Sequence, residues 1–396
     1  MRRRIRPLQV LFPLGLGTAL SLMGDATLYT VLPTHTAAAG VTLASVGILL
    51  SANRFIRLLF NGVAGLAYDR WPRRRLFVPA LFLGALSTAL YAATRGFWPL
   101  LAGRLLWGVA WSGIWVGGAT MILDVAGAQE RGRWTGLYST WFFIGAAAGT
   151  FAGGLLTDCV GYTATMWIGA GLSALGALIA LLLLPETRGA RRDERPTEGP
   201  PLRLRANRGL WVVASCHAVN RFCTAGVLMS TMALIVQDRL SPLGLVAGAA
   251  TLTGALLAGR TLFSMAAAPL AGLVSDRLAS RWTVAAGGLV VGAASMGLMA
   301  WDAPGAILTG IALGSISSGS LQALISALTG DLVAPAQRGR AIGLVHTAGD
   351  LGSALGPLAA YALLPWVGLT GAYLLCALLF AAQLVPVMWA RARHVA

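Results

Sequence analysis

The chain contains no lysine. All thirty of its basic residues are arginine, set against fourteen carboxylates and four histidines. That absence removes the lysine with which a P-loop ATPase grips phosphates, and any lysine Schiff base. Charge of either sign is scarce, at 11% of residues, whereas 57% are hydrophobic and the mean hydropathy is +0.72. A water-soluble core does not absorb so many apolar side chains, so the bilayer is the solvent to reason with. Cysteine is rare as well. Cys159, Cys216, Cys223 and Cys376 lack metal-ligand spacing, and all but Cys159 fall inside apolar runs, where they read as small packing residues. Neither H-E-x-x-H nor G-x-S-x-G occurs. Enzymatic chemistry has no foothold, and no metal or cofactor is called for.

What is present is a series of long apolar runs. A window of about 19 residues finds twelve: 9–33, 42–66, 76–94, 97–124, 134–157 and 162–184, then 209–236, 243–273, 282–301, 304–330, 341–363 and 367–389. Each is long enough to cross about 30 Å of hydrocarbon at 1.5 Å per residue. The last two are separated only by a tight turn at Pro365 and Trp366. The opening MRRRIRPLQVLFPLGLGTAL has the shape of a signal peptide, but so many apolar runs follow it that it reads as an uncleaved first helix.

A net charge of +16 suits nucleic acid only when the arginines share one exposed face. Here they sit in short clusters between spans, so no nucleic-acid partner is expected. The N-terminus, the even-numbered loops and the C-terminus hold 23 arginines; the odd-numbered loops hold only Arg95 and Arg239. By the positive-inside rule both termini are cytoplasmic. Trp98, Trp134, Trp211, Trp282, Trp301, Trp366 and Trp389 fall at span ends and are expected to anchor in the interface. The one long hydrophilic stretch, 185–208, is rich in Pro, Gly and charge and reads as a cytoplasmic linker between 1–184 and 209–396.

Those two segments echo each other at an offset of 207 residues. GLAYDRWPRRR from Gly65 returns as GLVSDRLASRW from Gly272, so that Gly65, Asp69 and Arg70 correspond to Gly272, Asp276 and Arg277. Asp124, Arg131, Gly132 and Arg133 correspond to Asp331, Arg338, Gly339 and Arg340, and Gly145 and Gly149 to Gly352 and Gly356. The fold expected is an all-α integral membrane protein of two six-helix pseudo-repeats. Such a parallel repeat carries its pseudo-two-fold axis along the membrane normal, with a cavity between the halves. Gly145, Gly149 and Gly153 recur every fourth residue and predict close approach of another helix.

These features resemble the major facilitator superfamily over essentially the whole chain. The loop after the second span matches its Gly-x-x-x-Asp-Arg signature, with Pro72 in place of the second glycine. GRLLWG around Arg104 is similar to the fourth-helix motif, and GAAAGTFAGG to the fifth-helix motif of antiporters, with Thr150 where that motif has proline. Pro185-Glu186-Thr187-Arg188 after the sixth span also looks like the family. The resemblance implies alternating access in an inner (plasma) membrane, by a monomer exchanging a small-molecule substrate and protons across the lipid bilayer. The fifth-helix motif favours proton-coupled export.

Ionisable residues inside spans are costly and mark function by default. They are Asp25, Arg54, Arg57, Arg104, Arg221, Arg260 and Asp350. The arginines are the candidate substrate-binding set; Asp25, Asp350 and His346 are the candidate proton-coupling set. Asp25 and Arg104 lie at similar depth and are expected to pair. His217 and Arg221, and His346 and Asp350, are spaced i, i+4, so each pair shares a helix face. His217 by itself reads as a packing histidine. Arg54 and Arg260 occupy nearly equivalent depths in the second and eighth spans, similar to the anion-gripping arginines of the nitrate and nitrite porters. This supports a second reading, uptake or exchange of an anion. Gly65, Asp69, Arg70, Arg74, Gly272, Asp276 and Arg277 are expected to form a conformational latch, in which a loop carboxylate gathers arginines and helix-terminal N–H groups. A non-transporting scaffold or sensor is the rival from another class, and it needs neither the latch nor the buried charges.

Overall fold

The computed structural model describes residues 6–189, 207–240, 248–278, 280–334 and 337–395, and these are helical nearly throughout. The long helices are α1 (Pro7–Val31), α2 (Leu43–Arg70), α3 (Arg73–Ala93), α4 (Phe97–Val125), α5 (Arg131–Val160) and α6 (Tyr162–Leu183). They continue with α7 (Arg208–Leu240), α8 (Ala249–Arg277), α9 (Arg281–Ala300) and α10 (Pro304–Asp331). The stretch Arg338–Val395 is two helices meeting at Gly368, whose φ of 64° and ψ of −175° are non-helical. The part before Gly368 is α11 and the part after it α12. Eleven stretches among the described residues are long and apolar enough to cross a membrane, and the break at Gly368 makes the eleventh into two. The chain is a multi-pass membrane protein. Part of the linker at 185–208 and the first residues of the expected span 243–273 lie outside the described residues.

Short connections set the helix boundaries. α5 and α6 are separated by Gly161 alone, at φ 83°, a conformation that costs an L side chain dearly. The expected turn at Pro365 and Trp366 lies instead at Gly368, since only glycine adopts a positive φ without strain. Between α2 and α3, Trp71 is extended (φ −111°, ψ 161°), as a residue preceding proline must be. Pro72 then starts α3 at φ −56°. Because this turn needs no positive φ, its geometry admits proline where the family signature has glycine. α5 runs unbroken through Thr150.

Contacts divide the chain into two compact units, Met1–Arg195 with Leu245–Ala258, and Pro196–Gly244 with Gly259–Ala396. In the first, the α5 glycine stripe packs on α1. A Cβ on Gly145 would lie 2.6 Å from the Ala19 backbone, one on Gly149 2.6 Å from Met23 Cα, and one on Gly153 2.2 Å from Thr27 Oγ1. Thr27 Oγ1 donates to the carbonyl oxygen of Gly149 at 3.1 Å, a bond open only to helices this close. The interior is aromatic: Trp107, Trp111 and Trp115, one helical turn apart on α4, stack at centroid distances of 5.9 and 5.8 Å. The first turn of α8 belongs to this unit, where Thr251 donates its backbone N–H (2.7 Å) and hydroxyl (2.6 Å) to Asp158.

The second unit uses the same device between α7 and α11. A Cβ on Gly352 would lie 2.2 Å from the carbonyl oxygen of Ala218, and one on Gly356 2.5 Å from Gly226 Cα. α7 is interrupted by π-helical segments at Phe222–Leu228 and Val236–Leu240, a distortion frequent at functional sites. Two of the expected interfacial tryptophans are not exposed. Trp134 and Trp282 are buried, whereas Trp98, Trp211, Trp301, Trp366 and Trp389 are exposed. Trp134 bonds Glu130 one turn before it (3.3 Å), an anchor supplied by the protein instead of the headgroups.

Candidate functional site

The first unit gathers its intramembrane charge around Tyr29. Asp25 and Tyr29 are spaced i, i+4 and so share one face of α1. Arg104 arrives from α4 with no exposed surface, and its guanidinium is fully engaged. Nη1 pairs with Asp25 Oδ1, Nη2 donates to Tyr29 Oη at 2.9 Å, and Nε donates to the Leu49 carbonyl oxygen at 3.0 Å. Tyr29 in turn donates toward the Leu50 carbonyl oxygen (3.2 Å) and Asn53 Oδ1 (3.3 Å) on α2. Arg54, also buried, lies over the same ring: its guanidinium carbon is 5.2 Å from the Tyr29 centroid, and that of Arg104 is 5.1 Å. One tyrosine thus joins two arginines, an asparagine and, through Arg104, a carboxylate.

The expected Asp25–Arg104 pair is therefore formed. Its chemistry follows from burial. In a dry interior, neutralising either partner leaves the other charge uncompensated. Arg57 follows Arg54 one turn later on α2 and is half-buried.

In the second unit, α7 and α11 bring two histidines together. The rings of His217 and His346 lie 5.5 Å apart, centroid to centroid, at an interplanar angle of 70°. The space is made by Gly349, where a Cβ would lie 2.0 Å from His217 Cδ2. Arg221 and Asp350 both act electrostatically on this pair. The four residues paired by spacing thus form one cluster. His217 is buried, His346 exposed, and Arg221 and Asp350 half-buried. Among the described residues, His217 Nδ1 and both amide atoms of Asn220, three residues further on, are buried without a hydrogen-bond partner. Leaving such groups unmatched costs roughly 1–3 kcal/mol each. Arg260, from α8, is half-buried and acts on Tyr373, whose hydroxyl is 2.8 Å from Thr231 Oγ1.

The latch residues are placed differently from expectation. Asp69 and Asp276 are exposed, and among the described residues no ion pair reaches either. A Cβ on Gly65 or Gly272 would meet open space. Arg70 and Arg277 are exposed in the last turns of α2 and α8, where they complement the helix dipole. The arginines that follow turn to other carboxylates. Arg73 Nε meets Asp124 Oδ2 at 3.2 Å, and Thr187 Oγ1 donates to that same oxygen at 3.1 Å. Glu186 accepts the backbone N–H groups of Arg73 (2.9 Å) and Arg74 (3.1 Å), and the Arg74 side chain bonds the Leu181 carbonyl oxygen. In the second unit Arg281 pairs with Asp331. The physical reason is local. α3 opens with three arginines against its own positive dipole end, so carboxylates from the ends of α4 and α6 are drawn there.

Sequence reasoning missed Tyr29, Asn53, Glu186 and the part of His217. The i, i+4 spacing of Asp25 and Tyr29 was the available signal for the first; Glu186 carried none beyond its place in the family-like Pro185-Glu186-Thr187-Arg188.

Comparisons with known proteins agree with this architecture. A model of the Major Facilitator Superfamily matches residues 14–260 and 210–395. Tetracycline resistance protein, class C, of Escherichia coli is 31% identical over 175 residues, covering 44% of this chain and 44% of that protein. The MFS-type efflux pump elcC of Phaeosphaeria nodorum is 26% identical over 139 residues, 35% of this chain and 24% of that one. The match thus spans less than half the length of these curated relatives. A crystal structure of the nucleoside transporter NupG superposes with a TM-score of 0.79 at 15% identity, covering 96% of this chain and 99% of that chain, a likeness of fold.

Proposed function

The chain belongs to the Major Facilitator Superfamily, and from that membership we propose that it is a secondary transporter exporting a small molecule by alternating access, coupled to protons. The observation that carries this reading is the buried Asp25–Arg104–Tyr29–Arg54 network. A carboxylate, two guanidiniums and a phenol in a membrane interior are costly, and a scaffold gains nothing from them. Export is favoured by the GAAAGTFAGG stretch of α5 and by relatives whose names speak of tetracycline resistance and efflux. The protein is a transporter and not an enzyme.

In this reading Asp25, Asp350 and His346 exchange protons. Arg54, Arg57, Arg221 and Arg260 face the substrate, and Arg104 reaches it when Asp25 is protonated. The two six-helix bundles, 1–184 and 209–396, are repeats joined by 185–208, with both termini cytoplasmic and the monomer in the inner membrane. The matching pairs Arg73–Asp124 and Arg281–Asp331 support the repeat, because Asp124 and Asp331 are 207 positions apart and Arg73 and Arg281 nearly so. Gly65, Asp69, Arg70, Arg74, Gly272, Asp276 and Arg277 form the cytoplasmic latch when the ends of the helices close. The second reading, uptake or exchange of an anionic small molecule, is favoured by the excess of five intramembrane arginines over two aspartates.

The test is a substrate screen in proteoliposomes enclosing a pH-sensitive dye, starting with tetracycline. Adding an exported substrate to inside-acidic vesicles that expose the cytoplasmic face should collapse the gradient. If no compound in a chemically broad panel moves protons, yet one is exchanged passively or with an anion, coupling is wrong and the anion reading replaces it.

A further inference from the structure

The second unit holds an imidazole that the export reading leaves unused. His217 is 2% exposed on α7, with Nδ1 lacking a partner among the described residues. A packing histidine ordinarily donates one ring N–H to a carbonyl or carboxylate, which fixes its tautomer. Among the described residues Nδ1 of His217 has no such tie. Its neighbours are instead the ring of His346 at 5.5 Å and the backbone of α11 at Gly349, where any side chain would strike His217 Cδ2 and Nε2. His346 and Asp350 flank that glycine, three residues before and one after. Glycine at 349 thus lets a buried imidazole lie under α11 against a second, exposed one.

We infer that His217 and His346 form one proton-binding site, which takes up a single proton. Four groups set its charge: the two imidazoles, Arg221 one turn beyond His217, and Asp350 one turn beyond His346. Arg221 and Asp350 carry opposite charges, so the cluster is formally neutral before a proton arrives. A second would place like charges 5.5 Å apart, which repel strongly away from bulk water. The exposed His346 is the member that meets an incoming proton, and the buried His217 the one that shares it. Asn220 carries a free donor and a free acceptor three residues along the same helix. It can match either state of a nearby ring, as a rigid carbonyl cannot. The π-helical segment Phe222–Leu228 begins two residues later, giving this stretch of α7 a weaker hydrogen-bond ladder than an α-helix. The inference rests on the proton-coupled reading and adds His217 to it.

The test needs no substrate. The protein in lipid bilayers is labelled with 15N-histidine and titrated by solid-state NMR, whose ring-nitrogen shifts report protonation of each of the four histidines. Two groups sharing one proton titrate as a pair. His346→Gln should therefore move the midpoint of His217 by at least about half a pH unit, and His217→Gln should do the same to His346. Midpoints unchanged within about 0.2 unit overturn the pair. If His217→Gln fails to fold, the exposed His346→Gln still decides the matter through the His217 signal. Gradient-driven transport separates this inference from the reading beneath it. If the wild type shows no response to a pH gradient, the export reading fails whatever the titration. If the double variant keeps the full response, the reading stands and the pair is not its proton site.

Discussion

Replacing Asp25 by asparagine tests the buried network most directly. Arg104 has no exposed surface and three protein acceptors, of which Asp25 supplies the only charge. At an effective dielectric of about 20, unit charges about 4 Å apart attract by roughly 4 kcal/mol. Asparagine keeps an oxygen acceptor, which restores about 1 kcal/mol. Tyr29 and Leu49 still solvate the guanidinium. The expected loss is therefore about 3 kcal/mol, the low end of what breaking a buried pair costs. Thermal unfolding in detergent, followed by intrinsic tryptophan fluorescence, should show Asp25→Asn melting several degrees lower. The double variant Asp25→Asn, Arg104→Gln removes both charges and should recover most of that loss, a coupling of about 2 kcal/mol or more. Transport then separates roles. If the pair only holds α1 to α4, the double variant recovers gradient-driven transport along with stability; if Asp25 carries a proton, stability returns and transport does not. An Asp25→Asn protein as stable as the wild type would refute the reasoning, because a compensated buried pair cannot lose one charge for free.

Three further outcomes are expected. Asp69→Asn should leave the melting temperature unchanged while raising cytoplasmic accessibility of engineered cysteines, whereas Asp124→Asn, which breaks the contact with Arg73, should lower stability by about 1–2 kcal/mol; equal melting losses in both would remove the distinction between latch and strut. Gly149→Val should disrupt assembly of α1 on α5, since its Cβ would lie 2.6 Å from Met23 Cα, while Gly171→Ala, with open space around it, should be silent in the same expression and melting assays. Arg260→Lys keeps the charge and loses the planar fork, so it should weaken binding of an anionic substrate more than it weakens expression; a transported hydrophobic cation unaffected by Arg260→Ala would end the anion reading.

Much of this protein was legible in its sequence, because the bilayer leaves few choices. Backbone groups in hydrocarbon must bond within their own segment, so a long apolar run is a helix. The 207-residue echo and the glycine stripe of α5 followed from spacing alone, and so did the faces shared by His217 with Arg221 and by His346 with Asp350. What spacing cannot supply is which faces meet. Tyr29 as the hub for Arg54 and Arg104, and the lateral contact of His217 with His346, depend on helix rotation and on glycines that set the interhelical distance. The same holds for the arginines after α2. Their sequence pointed to Asp69, the nearest carboxylate along the chain. The fold gave Arg73 to Asp124 and the first turn of α3 to Glu186, more than a hundred residues on. Charge pairing is decided by proximity in three dimensions, and in a bundle the neighbours of a helix end are the ends of other helices.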